Sequence, residues 1–110
     1  GDFEMPLGLF LQAAEPREVL ARMLRNLKEI HRSAADWPRL VAVMDRLVVL
    51  LPDAWEERRD RGLAHAELGH REAARKDLGA YLIHVRDAVD RDAISSRLSE
   101  LDHEGPGRLH

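Results

Sequence analysis

Sliding the sequence along itself by 34 residues aligns like positions, and this internal period constrains the fold more than any single motif. With Ala21 and Trp55 as first positions, the eleventh positions are His31 and His65 and the turn positions are Ala35 and Gly69. The twentieth, twenty-fourth and twenty-seventh pair Leu40 with Ala74, Met44 with Leu78, and Leu47 with Tyr81. In the second unit the eighth and twentieth positions are the small residues Gly62 and Ala74, which let two helices approach closely; Lys28 and Leu40 stand there in the first. Large apolar residues at the later positions bury against the next unit. Within each unit the apolar spacing is helical, in steps of three and four.

The first helix follows Pro16, which suits a first turn because its missing N–H is not needed there. Leu20, Met23, Leu24, Leu27 and Ile30 form its expected buried stripe. Asp36 is placed to cap a second helix with Trp37 and Pro38 in its first turn. Leu40, Val43, Met44, Leu47 and Leu51 line that helix, and its extra valines predict cover on two sides. Pro52 stops it, and Asp53 is expected to cap a third helix from about Trp55 to Leu68, ended by Gly69. A fourth runs from about Glu72 to Val85, with Ala74, Leu78, Tyr81, Leu82 and Val85 on one side. A fifth, from about Val89 to Leu101, carries Ile94, Leu98 and Leu101.

The fold class is therefore all-α: two helical hairpins at 21–54 and 55–88 in a right-handed superhelix, closed by a cap helix at 89–101. The repeat domain spans 16–102, between an N-terminal arm at 1–15 and a loose tail at 103–110. Two units are fewer than an independent stack usually needs. The arm, carrying Leu7, Leu9, Phe10 and Leu11, a missing domain or self-association as a homodimer is expected to protect the first unit.

Composition removes several function classes. The chain has no cysteine, which excludes disulfides, thiolate catalysis and cysteine zinc sites and fits a reducing, cytoplasmic setting. Twenty acids oppose 17 bases with no segregation between the halves, which argues against a nucleic-acid surface. The basic helix bearing Arg17, Arg22, Arg25, Lys28 and Arg32 is interrupted by Glu18 and Glu29 and has no aromatic residues interleaved for stacking. No apolar run approaches the length of a membrane span. The opening Gly1, in place of Met, reads as a cloning remnant or as a fragment of a longer protein.

The segment from Arg61 to Ala74, with Gly62, Gly69 and Ala74, resembles the tetratricopeptide repeat, whose pattern sets W-x2-L-G-x2-Y before A-x3-F and P. The departures are Lys28 in place of a small residue, Leu40 in place of Ala, Arg58 and Arg61 at usually apolar positions, and Arg86 in place of a second proline. The run Leu11 to Lys28, with Met44-Asp-Arg-Leu and Arg59-Asp-Arg-Gly-Leu, is similar to the C-terminal region of the bacterial SirB-type family. That resemblance implies a repeat half joined in the parent to a transglutaminase-like domain. The repeat resemblance implies protein or peptide binding on the concave face formed by the first helix of each unit.

Positions two, five, six and nine face that groove in the repeat pattern: Arg22, Arg25, Asn26 and Glu29, then Glu56, Arg59, Asp60 and Leu63. Arg22, Arg25 and Asn26 could hold a carboxylate, because Arg offers a forked donor set. The alternative is an internal network that pairs Arg25 with Asp60, and Arg59 with Glu29 or Glu56. Co-chaperone members clamp a peptide terminus with Lys, Asn and Arg; Glu29 and Asp60 stand at such positions here and would repel it. His31 and His65 hold equivalent positions and are explained by packing. His65 and His70 lack the spacing of a helical zinc site. No catalytic, cofactor or metal set emerges, and most of the acids read as solvated helix faces. Two functional expectations remain: a non-catalytic interaction module whose partner includes the parent's own N-terminal domain, or the regulatory or substrate-positioning half of a transglutaminase- or protease-like enzyme.

Overall fold

The computed structural model of the chain describes residues 16–103; the arm at 1–15 and the tail from 104 onward lie outside the described residues. Five helices follow in order: α1 Pro16–Ser33, α2 Trp37–Leu50, α3 Trp55–Glu67, α4 Arg71–His84 and α5 Arg91–His103. There is no strand among the described residues, and the valine-rich end of α2 is helical. None of these helices is long and apolar enough to cross a membrane.

The backbone itself obeys the period. Asp36 N–H donates to the carbonyl of His31, and His70 N–H to that of His65, each at 2.9 Å. Ala35 and Gly69, at the same place in the two turns, both have positive φ, 53° and 76°. These are the left-handed turns that satisfy the last carbonyls of a helix. The hairpin exits match as well: Leu51 has φ −126° and ψ 73°, Val85 has φ −117° and ψ 80°. Leu51 donates to Leu47 and Val85 to Tyr81, both at 2.8 Å. Arg86 therefore forms the same turn that Pro52 does, and a second proline is dispensable.

The core is a row of three small clusters. Ala21, Leu24, Val43 and Leu47 join α1 to α2. Leu40, Met44 and Ala64 join α2 to α3. Ala74, Leu78, Tyr81, Ile94 and Leu101 join α4 to α5, with Trp55 and Leu63 of α3 packed against them. Each helix packs mainly on its sequence neighbours, as in a one-dimensional repeat array. The expected cover of α2 on two sides follows from its place between α1 and α3. Gly62 marks a close approach of α3 and α4: a Cβ there would lie 2.9 Å from the Leu78 side chain and 3.0 Å from Asp77 Cβ.

Several expectations change. On α1 only Leu24 of the five stripe residues is buried; Leu20, Met23, Leu27 and Ile30 are exposed, because no described element packs on that face. Asp36 does cap α2, accepting from the Arg39 N–H at 3.3 Å. Asp53 does not cap α3; Ala54 stands at the cap with no side-chain bond, because the turn after Pro52 uses one more residue. Helix α5 starts at Arg91 rather than Val89, since Asp90 is held in the preceding turn by Tyr81 and Arg59. It also ends later, so His103, assigned to the tail, is helical.

Ala35 carries a Cβ in a conformation that costs an L-residue about 1 kcal/mol, and Gly69 shows what the turn prefers. Ala35→Gly should stabilise the fold by up to about 1 kcal/mol, read as a rise in the urea midpoint with an unchanged slope.

Candidate functional site

A cavity of about 550 Å³ opens on the face shared by α1, α3 and α5. Its apolar side is Trp37, Leu40 and Met44 of α2 with Leu63 and Ala64 of α3. Its charged side is Lys28, Glu29 and Arg32 of α1, Arg59, Asp60 and Glu67 of α3, and Arg97 of α5. Three of these residues, Glu29, Leu63 and Arg97, are one position repeated at the 34-residue spacing, so the period brings an acid, an apolar residue and a base to the same groove.

Of the eight residues expected to face a groove, the structure brings Glu29, Arg59, Asp60 and Leu63 to this cavity. Arg22, Arg25, Asn26 and Glu56 are exposed and do not line it. Lys28, Arg32, Trp37, Met44, Glu67 and Arg97 were not among the expected groove residues. Arg97 was legible in principle, because one further step of 34 from Leu63 reaches it.

The charged wall is a connected network with partners other than those expected. Lys28 Nζ donates to Glu57 at 2.8 Å and to Asp60 at 2.6 Å. Arg25 pairs with Glu57, not Asp60, at 3.0 Å. Arg59 pairs with Asp60 at 2.9 Å and Asp90 at 3.0 Å, not with Glu29 or Glu56. Tyr81 donates its hydroxyl to the other oxygen of Asp90. Glu29 pairs only locally, with Arg32, at 2.6 Å. The reason for the re-pairing is Lys28, one turn beyond Arg25 and buried at the α1–α3 crossing, where it takes the oxygens nearest to it.

A second buried pair sits behind the groove. Arg61 holds both oxygens of Asp77 at 2.7 and 2.8 Å and also reaches Asp45 of α2 at 3.0 Å. Glu57 and Asp77 are buried, so these two acids are not the solvated faces expected of them. Buried charges persist where they are paired and hydrogen-bonded, and both carboxylates meet that condition.

The network sets the titration of its members. Burial alone would lower the Lys28 pKa; hydrogen bonds to Asp60 and Glu57, and their charges, outweigh it and raise the ammonium above its usual 10.5. Burial raises the Tyr81 phenol above 10.0, and its bond to Asp90 adds to this. The Tyr81 hydroxyl, aided by Arg59, holds Asp90 below its ordinary range. His65 is lowered, first by burial. None of this arrangement presents a nucleophile with an aligned base. Among the described residues no three His, Asp or Glu side chains lie together as a metal set.

Two predictions follow from the network. Glu57→Ala leaves the buried Lys28 with Asp60 alone and should cost about 3 kcal/mol, whereas Lys28→Met combined with Glu57→Leu should recover most of it in the same denaturant melts. Lys28 and Tyr81 both have raised pKa values, so the stability they confer is complete below about pH 10 and lost as pH rises through their folded-state values. Melts at about pH 9 and about pH 11 should show a falling midpoint, with a shallower fall in the Lys28→Met, Glu57→Leu variant.

Residues 27–99, more than half of the chain, match the tetratricopeptide repeat family, and the chain belongs to that family. A UPF0162 protein of Xylella fastidiosa (strain 9a5c) is 38% identical over 98 residues, which cover 89% of this chain and 35% of that protein. A UPF0162 protein of Pseudomonas aeruginosa is 28% identical over 101 residues, 92% of this chain and 37% of the relative. The chain thus spans little more than a third of the length of these curated relatives. No solved structure matches it.

Proposed function

We propose that this tetratricopeptide repeat chain is a non-catalytic interaction module that takes a protein segment into the groove across α1, α3 and α5. The observation that carries the reading is that Glu29, Leu63 and Arg97, one position at the repeat spacing on three helices, line a single cavity with Trp37. An extended or helical segment laid in that cavity meets one repeated position on each of three helices. Half-buried Trp37 and Leu63, packed over the buried Leu40 and Met44, seat an apolar anchor, which supplies most of the affinity in such contacts. Arg59 and Asp60 are already paired with one another and fix the wall, so they contribute shape and register more than net charge. Glu29 and Arg97 are likewise paired, with Arg32 and Glu100, and add polar contacts beside the anchor rather than net charge.

A second reading is favoured by the length of the relatives, which extend well beyond the matched segment. In it the repeat chain is the regulatory or substrate-positioning half of a transglutaminase- or protease-like enzyme, as the SirB-type resemblance implies, and the groove receives the enzyme's own domain. Both readings use the same surface and differ in where the occupant is encoded.

Random peptides selected for binding to the chain test the site. In a Trp55→Phe background Trp37 is the sole tryptophan, and its emission should shift and saturate as a selected peptide is added. Leu63→Gln should weaken those peptides by about tenfold, a loss of about 1.4 kcal/mol. Peptides that bind without moving Trp37 emission and are indifferent to Leu63→Gln would overturn the groove assignment. Selected sequences that recur in the rest of a longer chain would favour the second reading.

A further inference from the structure

The exposed stripe on α1 is the feature that the groove leaves unexplained. Leu20, Met23, Leu27 and Ile30 are 45%, 59%, 43% and 60% exposed, and they lie on one side of a single helix at steps of three and four. They face away from the groove, which α1 meets through Lys28, Glu29 and Arg32.

The repeat says what such a face is for. One unit along the chain, the positions of Met23, Leu27 and Ile30 are held by Glu57, Arg61 and Ala64. All three of those turn toward the preceding helices. Glu57 bonds to Arg25 and Lys28 of α1, Arg61 bonds to Asp45 of α2, and Ala64 packs on Leu40 and Met44. The same register on α1 carries three large apolar side chains and has no described element against it. Beside its first turn a hollow of about 560 Å³ continues the apolar surface, lined by Leu20, Leu24, Val49 and Leu50 with Arg17, Arg46 and Asp45, the acid being already paired with Arg61.

We propose that residues 7–11 of the N-terminal arm cover this face in the same chain. The arm supplies Leu7, Leu9, Phe10 and Leu11, which match an apolar stripe, and its side-chain charges are Asp2, Glu4 and Glu15 without a base, which match Arg17 and Arg46. The reach is sufficient. Leu11 and Leu7 precede Pro16 by five and nine residues, or about 17 and 30 Å of extended chain. Leu20 and Ile30 lie about 6 and 21 Å along α1 from Pro16 at the helical rise. An arm tied to the first turn of α1 also meets the stripe at millimolar effective concentration, well above that of a second copy in dilute solution.

The chain has no cysteine, so Gly8→Cys gives one attachment point for a nitroxide on the full chain. Paramagnetic broadening should remove the amide signals of Met23, Leu27 and Ile30 and spare those of α5. Mixing spin-labelled chain at natural isotope abundance with isotope-labelled, nitroxide-free chain should leave all signals intact. Leu27→Asp, on the exposed face and so compatible with folding, should restore the lost signals. Broadening spread evenly over the helices would overturn the proposal. So would broadening that appears in the mixture, which assigns the face to a second copy, and broadening that survives Leu27→Asp, which places the arm elsewhere.

Discussion

The buried ammonium of Lys28 is the interaction on which the arrangement of the repeats depends. It stands at a repeat position where a small residue is usual, and Gly62 shows the reason for that preference at the equivalent place. A side chain there enters the space between packed helices. Lys28 fills that space with a flexible stem and a charge, and the charge must then be matched. Glu57 and Asp60 supply two carboxylates from α3, within 2.8 and 2.6 Å. Leaving either charge uncompensated in the interior costs more than an ordinary hydrogen bond, so the pairing fixes α3 against α1 in one register. From Asp60 the network continues through Arg59 to Asp90 and Tyr81, which ties α1, α3, α4 and the start of α5 into one connected wall.

That wall also shapes what the groove offers. Its charges are spent internally: even at the ends of the repeated row, Glu29 pairs with Arg32 and Arg97 with Glu100. The floor beneath is apolar because it is the same cluster that joins α2 to α3. A binding surface made from the exposed rim of a core cluster needs no separate construction. Its geometry is as rigid as the packing of Met44 and Leu40 beneath it.

The fold was legible because backbone and burial both follow the period. Helix breaks at Ala35 and Gly69, apolar pairs such as Met44 with Leu78, and the cap at Asp36 are local signals, and local signals survive in a single sequence. The partners of charged residues were not legible. Arg25 faces several acids on α3, and which one it takes depends on whether Lys28 has already occupied the crossing. Sequence spacing does not report that competition. Glu57 and Asp77 looked like solvated acids for the same reason: their burial is set by Lys28 and Arg61, two residues that depart from the repeat pattern. The groove was half legible. Its ninth-position residues follow from the period, while Met44 had been assigned to the core and Trp37 only to the first turn of α2, so neither was considered for the groove.

The two faces of α1 show how a one-dimensional array divides its chemistry. At the junction between units ionic contacts from α1 to α3 accompany the apolar α2–α3 cluster, and they specify which surface meets which. At the outer face the same register is purely apolar, and apolar burial is non-directional. An ionic junction suits two units that must always meet in one way. An apolar face suits an element that needs only to be covered, and it carries no charge that would be left unpaired while uncovered. Stability in such an array is close to a sum of each unit and its junctions, so an uncovered end lowers the protection of the end helix first. α5 packs Ile94 and Leu101 onto the last cluster and closes that end. α1, with one cluster behind it and an apolar stripe in front, is the helix whose amide protection depends most on whatever lies across Met23 and Ile30.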